Sequence, residues 1–345
     1  MQYPRISILI PTLNAASVLE ECLKSISLQD YPKDLIEIIV ADGGSSDNTR
    51  EIAGKYQATI VENPLKTAES GKVVALKKAS GEFIALIDSD NILPDGAWIR
   101  QMIGPLLAHD EALGSEPLSY TWRATDGFIT RYCALIGMND PLVMFLGNYD
   151  RMNLITGKWT ETPHEEKDCG AYLMVKFGKD GIPTIGANGV VFRAGFLKQF
   201  QDVDYLFDID ILSHELRSKG VVNFIKTKNG IVHTFCENDV GKFARKQKRR
   251  IVDYLYFRKS KSTREFNWDY FNIGGSSSWG LIKFVIYCVT LVPLILQAIK
   301  GFIKKRDTAW LFHPLACEIT FFVYAWHKIF SFLYKEQMSR KNWKQ

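Results

Sequence analysis

Apolar and polar positions alternate in blocks along the first hundred residues. Continuous apolar runs at Arg5 to Ile10, Leu35 to Ala41 and Gly81 to Ile87 have the length of buried strands. Between them, apolar residues recur at helical spacing, and Asp47 can cap a helix start. The predicted intervening elements are a helix carrying Val18, Leu19, Cys22, Leu23 and Ile26, a helix over Thr49 to Tyr56, a strand over Thr59 to Glu62 and a helix over Gly71 to Ala79. Strands buried on both faces and alternating with helices predict an α/β fold with a mostly parallel sheet.

The three long strands end on residues that suit ligand binding. Pro11, Asp42 and Asp88 lie at these ends, and ligands of such sheets bind beyond the carboxyl ends of the strands. We therefore expect one crevice to collect them. Asp88 and Asp90 are spaced i, i+2 around Ser89, which places both carboxylates on one side of the strand end. Two hard oxygen ligands suit Mg²⁺ or Mn²⁺ holding a diphosphate, as in a nucleotide-sugar transferase, unless the acidic pair only solvates a turn.

Four motifs in this region occur in the order and spacing of a known family. They are Pro11-Thr12-Leu13-Asn14, Val40-Ala41-Asp42-Gly43-Gly44-Ser45 with Asp47 and Thr49, Gly71-Lys72 before a helix, and Ala79-Ser80-Gly81-Glu82 before Asp88-Ser89-Asp90. On these motifs, residues 5 to about 100 resemble the nucleotide-binding half of a family 2 glycosyltransferase of the GT-A fold. The resemblance implies a Rossmann-like, mostly parallel sheet flanked by helices and inverting transfer from a nucleoside-diphosphate sugar.

The resemblance also implies roles for residues of the first three motifs. Pro11, Thr12 and Asn14 would surround the nucleotide base and ribose, although Asn14 could equally be a helix cap. Asp42 would contact the uracil edge, unless it is only a turn residue before two glycines. Lys72 would approach the base or the diphosphate.

The fourth motif would complete the donor site. By the resemblance, Asp88 would face the ribose or sugar with Ser89 beside it, and Asp90 would bind the metal, with Asp88 as a further metal ligand. His233 follows a predicted strand at Gly230 to Val232, where related enzymes supply another metal or diphosphate contact; a structural histidine is the alternative. Asn188 could hydrogen-bond sugar hydroxyls, and a Gly-rich strand bend is the other interpretation of its segment.

An inverting transfer to a hydroxyl also needs a general base. The resemblance points to Asp208 and Asp210, at the start of a predicted helix that ends at Gly220. Phe207 stands where the family usually has Glu, so the match leaves the choice between the two aspartates open. We favour Asp208 as the base and Asp210 as a residue that caps or orients the helix. Alternatively, both acids only favour the helix N-terminus.

A basic helix is predicted after His233. Its Gln247 and Arg250 have the spacing of the Gln-x-x-Arg-Trp signature of processive family members, but Ile251 replaces the Trp, which argues against a polysaccharide synthase. Gln247 and Arg250 could hold the donor diphosphate or a lipid phosphate, or the helix could present a solvated basic face. The chain has no recognised nucleic-acid motif and a formal net charge of only +5 over 345 residues, so we expect no nucleic-acid partner.

The composition becomes strongly apolar near Gly280. Leu281 to Ile303 provides roughly 23 residues at about 1.5 Å each, enough to cross a bilayer. Thr308 to Tyr334 is aromatic-rich but carries several polar residues. Two spans, a re-entrant or in-plane pair, and helices packed on a soluble domain all fit. Trp268 and other aromatic residues suit an interfacial belt, and we expect attachment to the cell membrane and contact with its lipids.

The predicted domains follow these changes in composition. A catalytic domain would span residues 1–240, with a nucleotide-binding half at 1–100 and an acceptor and sugar half at 101–240. A basic connecting region would follow at 241–279, and membrane-associated helices at 280–345. The first strand begins shortly after Met1 without a signal peptide, so we expect the catalytic domain on the cytoplasmic side. Six scattered cysteines lack paired metal spacing and fit reduced thiols.

The stretch from Glu111 to Lys179, inside the predicted acceptor and sugar half, carries no recognised motif. An apolar helical part is predicted over Phe128 to Leu146. In the family that the chain resembles, such an insertion usually shapes the acceptor site, and surface elaboration without acceptor contact is the alternative. The predicted function is metal-dependent transfer from a UDP-sugar to a hydroxyl of a membrane-borne, polyprenyl-diphosphate-linked saccharide. A polyprenyl-phosphate sugar synthase and a non-catalytic nucleotide-sugar-binding scaffold are the alternatives.

Overall fold

A computed structural model describes residues 3–186, 188–259 and 278–330. Contacts divide these residues into two compact units. The first unit contains 3–118 and 163–233, and the second contains 119–162 and 234–330. Trp268 and the end of the predicted segment Thr308 to Tyr334 lie outside the described residues.

The first unit is built around one mixed sheet, which holds ten strands within the described residues. The strands are β1 (Ile6–Thr12), β2 (Ile36–Asp42), β3 (Thr59–Glu62), β4 (Phe83–Leu86), β5 (Asn91–Ile92), β6 (Gly114–Thr121), β7 (Glu165–Asp168), β8 (Tyr172–Phe177), β9 (Val190–Arg193) and β10 (Val222–His233). Their order is β3-β2-β1-β4-β9-β6-β10-β8-β7, and β5 pairs with β10.

The sheet changes direction halfway across. β1, β2, β3 and β4 pair in parallel, which confirms the predicted parallel α/β half. β9 then runs antiparallel to β4 and β6, and β8 runs antiparallel to β10 and β7. Every residue of β1 is buried, because this strand lies between β2 and β4 inside the sheet. Its register sets Thr12 beside Asp42, so both strands end at the same edge.

The α-helices of the described residues follow the chain as α1 (Ala16–Ser27), α2 (Thr49–Lys55), α3 (Ala68–Leu76), α4 (Trp98–Ala108), α5 (Phe128–Ile136), α6 (Pro141–Leu146), α7 (Ala194–Leu197), α8 (Asp208–Lys219), α9 (Val240–Lys259), α10 (Ser278–Thr290), α11 (Val292–Lys304) and α12 (His313–Ile329). Short 3-10 helices lie at Lys33–Leu35, Lys198–Phe200 and Thr308–Phe312.

The starts of two early helices are joined by one side chain. The Asp47 carboxylate accepts hydrogen bonds from the Thr49 N–H at 3.0 Å and the Ala16 N–H at 3.1 Å. Asp47 therefore binds the first N–H of both α1 and α2, although the N-cap residues are Ala15 and Asn48 and not Asp47. α3 begins three residues before the predicted Gly71, because the Thr67 hydroxyl accepts the Ser70 N–H and starts the helix there.

The second unit is helical. The predicted helical part at Phe128 to Leu146 consists of α5 and α6, which are separated because Asp140 caps α6 through the Leu142 N–H at 3.0 Å. Two apolar clusters hold the unit together, one around Trp310 and Phe243 and one around Phe284. Residues 119–162, which we assigned to the catalytic domain, group with the C-terminal helices because α6 packs on α10 and α12.

The apolar C-terminal segment forms a bent pair of helices. No single helix in the described part of the chain is long and apolar enough to cross a membrane, but α10 and α11 meet that test together. They are bent by 96° around Leu291, which has a φ of +59°. The predicted continuous segment Leu281 to Ile303 is thus two short helices.

Candidate active site

A loop network surrounds the Asp42 carboxylate at the end of β2. Asp42 is fully buried and accepts the N–H groups of Gly44 at 3.1 Å and Ser45 at 3.0 Å. It also accepts the Thr12 hydroxyl at 3.2 Å, and the Arg50 guanidinium lies 3.3 Å away. These contacts match the turn-residue interpretation of Asp42, and its contact with a nucleotide base stays a prediction.

Asn14 fastens the loop after β1 to the loop after β2. Its N–H donates to the Ser45 hydroxyl at 2.8 Å, and its side-chain oxygen accepts the Ser46 N–H at 2.8 Å. The N-cap of α1 is Ala15, so Asn14 does not act as the helix cap that was the alternative. Nearby, a Cβ on Gly71 would stand 2.8 Å from Pro11 Cβ, which explains a glycine where α3 crosses β1.

The acidic motif lies in a turn and not on a strand. β4 ends at Leu86, so the predicted strand alternation does not orient Asp88 and Asp90. Instead, the buried Asn91 side chain accepts the Asp88 N–H at 2.9 Å, while the Asp88 carbonyl accepts the Asn91 N–H at 2.9 Å. Ser89 is half-buried at the tip of this turn.

Asn91 is a site residue that the sequence reasoning missed. Its amide donates to the Asn188 side-chain oxygen at 3.0 Å, and this contact joins the acidic turn to the predicted sugar-lining segment. The signal was an amide side chain directly after Asp90. Gly189, which follows Asn188, has a φ of +85°, and a Cβ at this position would stand 2.6 Å from Ile231 Cδ1. Ala187 of this segment lies outside the described residues.

His233 and Asp90 come together at the end of β10. β5 pairs with β10 in a register that sets His233 beside Asn91, so His233 Nε2 lies 3.3 Å from Asp90 Oδ1. Within residues 3–186, 188–259 and 278–330, no group of three or more His, Cys, Asp or Glu side chains could hold a metal by itself. The structure thus brings Asp90 and His233 together, without Asp88 as a third member of such a group.

Asp90 and His233 still fit a metal site in which substrate oxygens supply the remaining ligands. One carboxylate and one imidazole leave most of an octahedral coordination shell to other oxygens. Mg²⁺ is commonly bound through one or two carboxylates together with substrate phosphates. Burial raises the pKa of the nearby Asp88 carboxyl and Asp90 adds to the rise, whereas Lys72 and His233 oppose it.

The predicted donor lysine and the predicted base form an ion pair. Lys72 Nζ donates to Asp208 Oδ2 at 3.0 Å, and both side chains are buried. Burial raises the pKa of the Asp208 carboxyl, and the Lys72 ammonium acts in the opposite direction. Burial would lower the pKa of Lys72, but the negative charges of Asp208, Asp88 and Glu69 outweigh it and raise that pKa. Lys72 therefore stays protonated, and Glu69 is a further charged neighbour that we did not predict.

The two aspartates of α8 differ in their surroundings. Asp208 and Asp210 are both buried in the first turn of the helix, which ends as predicted with Gly220 at a φ of +74°. Asp208 Oδ1 is buried without a hydrogen-bond partner in the described part of the chain. A buried acceptor without a partner is costly, and such atoms often have a functional reason.

Gln247 and Arg250 belong to the second unit. Gln247 is fully buried in α9, and its amide donates to the Asn139 carbonyl at 2.9 Å. Arg250 donates to the same carbonyl at 2.6 Å and to the Gln247 side-chain oxygen at 3.1 Å. The Tyr324 hydroxyl also contacts this oxygen at 3.3 Å. These hydrogen bonds join helices of the second unit, and a phosphate contact stays a prediction.

The fold and the site together define a class of protein. The parallel half of the sheet ends in the loops that hold Asn14 and Asp42, and an acidic turn lies beside His233. A buried ion pair of Lys72 and Asp208 lies in the same unit. This arrangement resembles that of GT-A-type glycosyltransferases. Residues 7–121, about a third of the chain, match the family model described as glycosyl transferase family 2.

Named relatives agree with this family. The chain is 28% identical over 109 residues to the glycosyltransferase AglE of Haloferax volcanii, covering 30% of this chain and 36% of that protein. It is 38% identical over 101 residues to a GalNAc(5)-diNAcBac-PP-undecaprenol beta-1,3-glucosyltransferase of Campylobacter jejuni, covering 27% of this chain and 32% of that protein. The matched segments thus span about a third of each relative.

A solved structure supports the fold along most of the chain. The mannosyltransferase PcManGT of Pyrobaculum calidifontis, in complex with GDP-Man and Mn²⁺, aligns with a TM-score of 0.53 and 16% sequence identity. The alignment covers 95% of this chain and 88% of that chain. The predicted GT-A fold is confirmed, and the predicted resemblance to family 2 glycosyltransferases is confirmed over residues 7–121.

Proposed function

We propose that this protein is an inverting, metal-dependent glycosyltransferase. It transfers a sugar from a nucleoside-diphosphate sugar, with a UDP-sugar as the first choice, to a hydroxyl of a membrane-borne saccharide. The observation that carries the proposal is the buried pair of Lys72 and Asp208 in the same unit as the acidic turn. The transfer requires a cation that stabilises the negative charge of the departing diphosphate and a carboxylate that accepts the proton of the acceptor hydroxyl.

The donor end of the site needs a counter-charge for the diphosphate. Asp90 and His233 would hold a Mg²⁺ or Mn²⁺ ion, which when bound supplies positive charge for the departing diphosphate. Lys72 adds a fixed cation from the chain itself, because the surrounding carboxylates keep it protonated. Asn91 and Asn188 hold the acidic turn against the segment that would line the sugar.

Asp208 takes the role of the general base. In the transfer step, the acceptor oxygen forms a bond to the anomeric carbon while the bond from that carbon to the diphosphate oxygen breaks. The nucleoside diphosphate leaves with the bonding electron pair, and the acceptor's proton moves to the Asp208 carboxylate. The buried Oδ1 of Asp208 has a free lone pair for this proton, since Oδ2 alone is engaged by Lys72.

The proposed acceptor follows from a named relative. A polyprenyl-diphosphate-linked saccharide is supported by the Campylobacter relative, whose name specifies an undecaprenol-linked substrate. The motif resemblance favours a UDP-sugar as the donor, and GDP-sugars are tested beside it because the PcManGT structure holds GDP-Man. A catalytic unit on the cytoplasmic side of the cell membrane completes the proposal.

A transfer screen tests this function. The purified full chain is incubated with UDP- and GDP-sugars, Mn²⁺ or Mg²⁺, and a membrane lipid extract, and products are identified by mass spectrometry. We expect one sugar to be added to a lipid-linked saccharide, and Asp208→Asn to remove that product. Transfer to a polyprenyl phosphate that survives Asp208→Asn would indicate a polyprenyl-phosphate sugar synthase, because that acceptor is already ionised. Binding of the donor without transfer to any lipid would contradict the proposed enzymatic activity and indicate a non-catalytic nucleotide-sugar-binding scaffold.

A further inference from the structure

The bent helix pair α10 and α11 carries an exposed apolar surface. Val289 is 71% exposed, Leu296 is 60% exposed and Ile303 is 75% exposed. Further large apolar side chains along both helices are also exposed, among them Ile286 and Val292. Soluble proteins rarely leave a continuous apolar surface of this kind in water, and such surfaces usually contact a partner or a membrane.

The exposed apolar surface is distinct from the side of each helix that packs against the rest of the second unit. The inner faces are already buried through Phe284 and Cys288 of α10 and Leu294 and Ala298 of α11. Gly301 lies so close to the Trp310 ring that a Cβ would stand 2.5 Å from it. The two helices are therefore apolar on both sides, which is typical of helices with an apolar environment outside the protein.

The geometry of the pair excludes a span by either helix alone. Each helix has 13 residues, which gives a length of about 20 Å, whereas the hydrocarbon core of a bilayer is about 30 Å thick. The bend of 96° turns α11 nearly perpendicular to α10. Two helices at this angle cannot both align with the membrane normal, but both can lie close to one membrane plane.

The charged residues in and after α10 and α11 indicate which kind of partner this surface binds. Residues 278–306 contain no Asp or Glu, whereas Lys283, Lys300, Lys304, Lys305 and Arg306 are all exposed. Trp279, at the start of α10, is 71% exposed. Long lysine side chains among exposed apolar residues can extend their ammonium groups toward the headgroups, and Trp279 lies at one end of the pair. This composition fits the boundary between acyl chains and anionic headgroups. A second copy of this chain would bring the same positive charges together.

We propose that α10 and α11 insert side by side into a single leaflet of an anionic membrane, so that the pair docks the protein in the membrane plane without crossing it. The exposed apolar side chains enter the acyl region, and the lysine ammonium groups extend to the headgroups. This docking deepens the proposed function, because it would hold the protein at the surface that carries a lipid-linked acceptor. Binding is measured without donor or acceptor, so its failure leaves the transfer assay unaffected.

Vesicle flotation tests the docking surface. The full chain is mixed with vesicles of phosphatidylcholine alone or with phosphatidylglycerol added. We expect stronger flotation with the anionic lipid, and a loss of binding of at least about tenfold for Leu296→Glu, because a charge in the acyl region is costly. The matched control is Leu107→Glu, which changes a 54% exposed leucine in the first unit and should leave flotation unchanged. The proposal would be overturned if both variants lost the same amount of vesicle binding, or if the parent protein did not float with vesicles. It would also be overturned if the parent formed a dimer that did not bind vesicles and Leu296→Glu dissociated that dimer.

Cysteine labelling tests the in-plane arrangement. In a Cys169→Ser background, single cysteines are introduced as Ser278→Cys, Thr290→Cys and Lys304→Cys, and vesicle-bound protein is treated with an impermeant maleimide from outside. We expect the two ends to label to the same extent and the cysteine at the bend to label only after detergent is added. Labelling of one end before detergent and the other only after it would mean that the pair crosses the membrane, and the proposal would be wrong.

Discussion

Lys72 and Asp208 lie 136 positions apart in the sequence, yet their side chains form a buried ion pair at 3.0 Å. The resemblance assigned Lys72 to the donor and Asp208 to the acceptor. Their contact means that one charged group links the two halves of the proposed reaction. A diphosphate that accepts a hydrogen bond from the Lys72 ammonium would weaken the ion pair between Lys72 and Asp208. Because Lys72 lowers the pKa of Asp208, donor binding should make Asp208 a stronger base.

The first prediction concerns the base itself. Asp208→Asn keeps the size and most hydrogen bonds of the side chain but removes its ability to accept a proton. We expect donor binding to change little and the rate of transfer to fall by about 10²-fold or more. Single-turnover transfer and calorimetric donor titration measure the two effects. If Asp210→Asn alone produces this loss, the roles of the two aspartates are exchanged.

The second prediction concerns the pH dependence of transfer. Burial raises the pKa of Asp208 and the Lys72 ammonium opposes the rise. Since the base must be deprotonated, activity should fall as the pH drops through this raised pKa. Lys72→Met removes the opposing charge, so the pKa of Asp208 should rise further and the acid limb of the rate profile should move to higher pH. The same variant should weaken donor binding by about tenfold or more, because a charge-assisted contact is lost.

Lys72→Arg is the control for that variant. It keeps the positive charge but changes its shape, so the acid limb should stay close to that of the parent even if donor affinity changes. A profile that does not move in Lys72→Met, in a variant that is folded by circular dichroism, would contradict the link between the lysine and the base.

The third prediction concerns the metal. Asp90→Ala and His233→Ala each remove one of two adjacent side chains, whose atoms lie 3.3 Å apart. We expect donor binding to lose its dependence on Mn²⁺ in both variants, as measured by calorimetry with and without the ion. Asp110→Ala, which changes a 98% exposed carboxylate, is the matched control and should retain the dependence. Unchanged Mn²⁺-dependent affinity after Asp90→Ala would refute the assignment.

The sequence predicted the parallel half of the sheet because its signals are local. β1 and β2 are apolar runs that end within two residues of their predicted ends, and Gly220 ends α8 as expected. The antiparallel half depends on pairings between distant segments, such as β10 with β8 and β5, which no local pattern specifies. The grouping of residues 119–162 with the C-terminal helices is likewise a matter of long-range packing.

The site shows the same division. Motif order identified Asp42, Lys72, Asp90 and Asp208, but it assigned each to a ligand and not to its protein partners. The contacts of Lys72 with Asp208 and of Asn14 with Ser46 depend on the folded geometry. Asn91 was missed because an amide after an acidic pair has no distinctive pattern, although its two side-chain contacts fix the turn.

The last prediction concerns Gly189, which joins the sugar-lining segment to β9. Its φ of +85° disfavours any L side chain, and a Cβ would also stand 2.6 Å from Ile231 Cδ1 and 3.1 Å from Trp98 Cζ2. Gly189→Ala should therefore lower the free energy of unfolding by about 1–3 kcal/mol for backbone strain, and by more because of the clash. Thermal unfolding followed by tryptophan fluorescence measures the change.

Two other glycines separate the two causes of this loss. Gly170 has a similar φ of +84° with nothing within 4 Å of a Cβ, so Gly170→Ala reports the cost of the backbone conformation alone. Gly195 lies in α7 with nothing within 4 Å of a Cβ, and Gly195→Ala should be neutral or slightly stabilising, since it restricts only the unfolded chain. If Gly189→Ala costs no more than Gly170→Ala, the Ile231 and Trp98 side chains can move aside, and close packing is not the reason for a glycine beside Asn188.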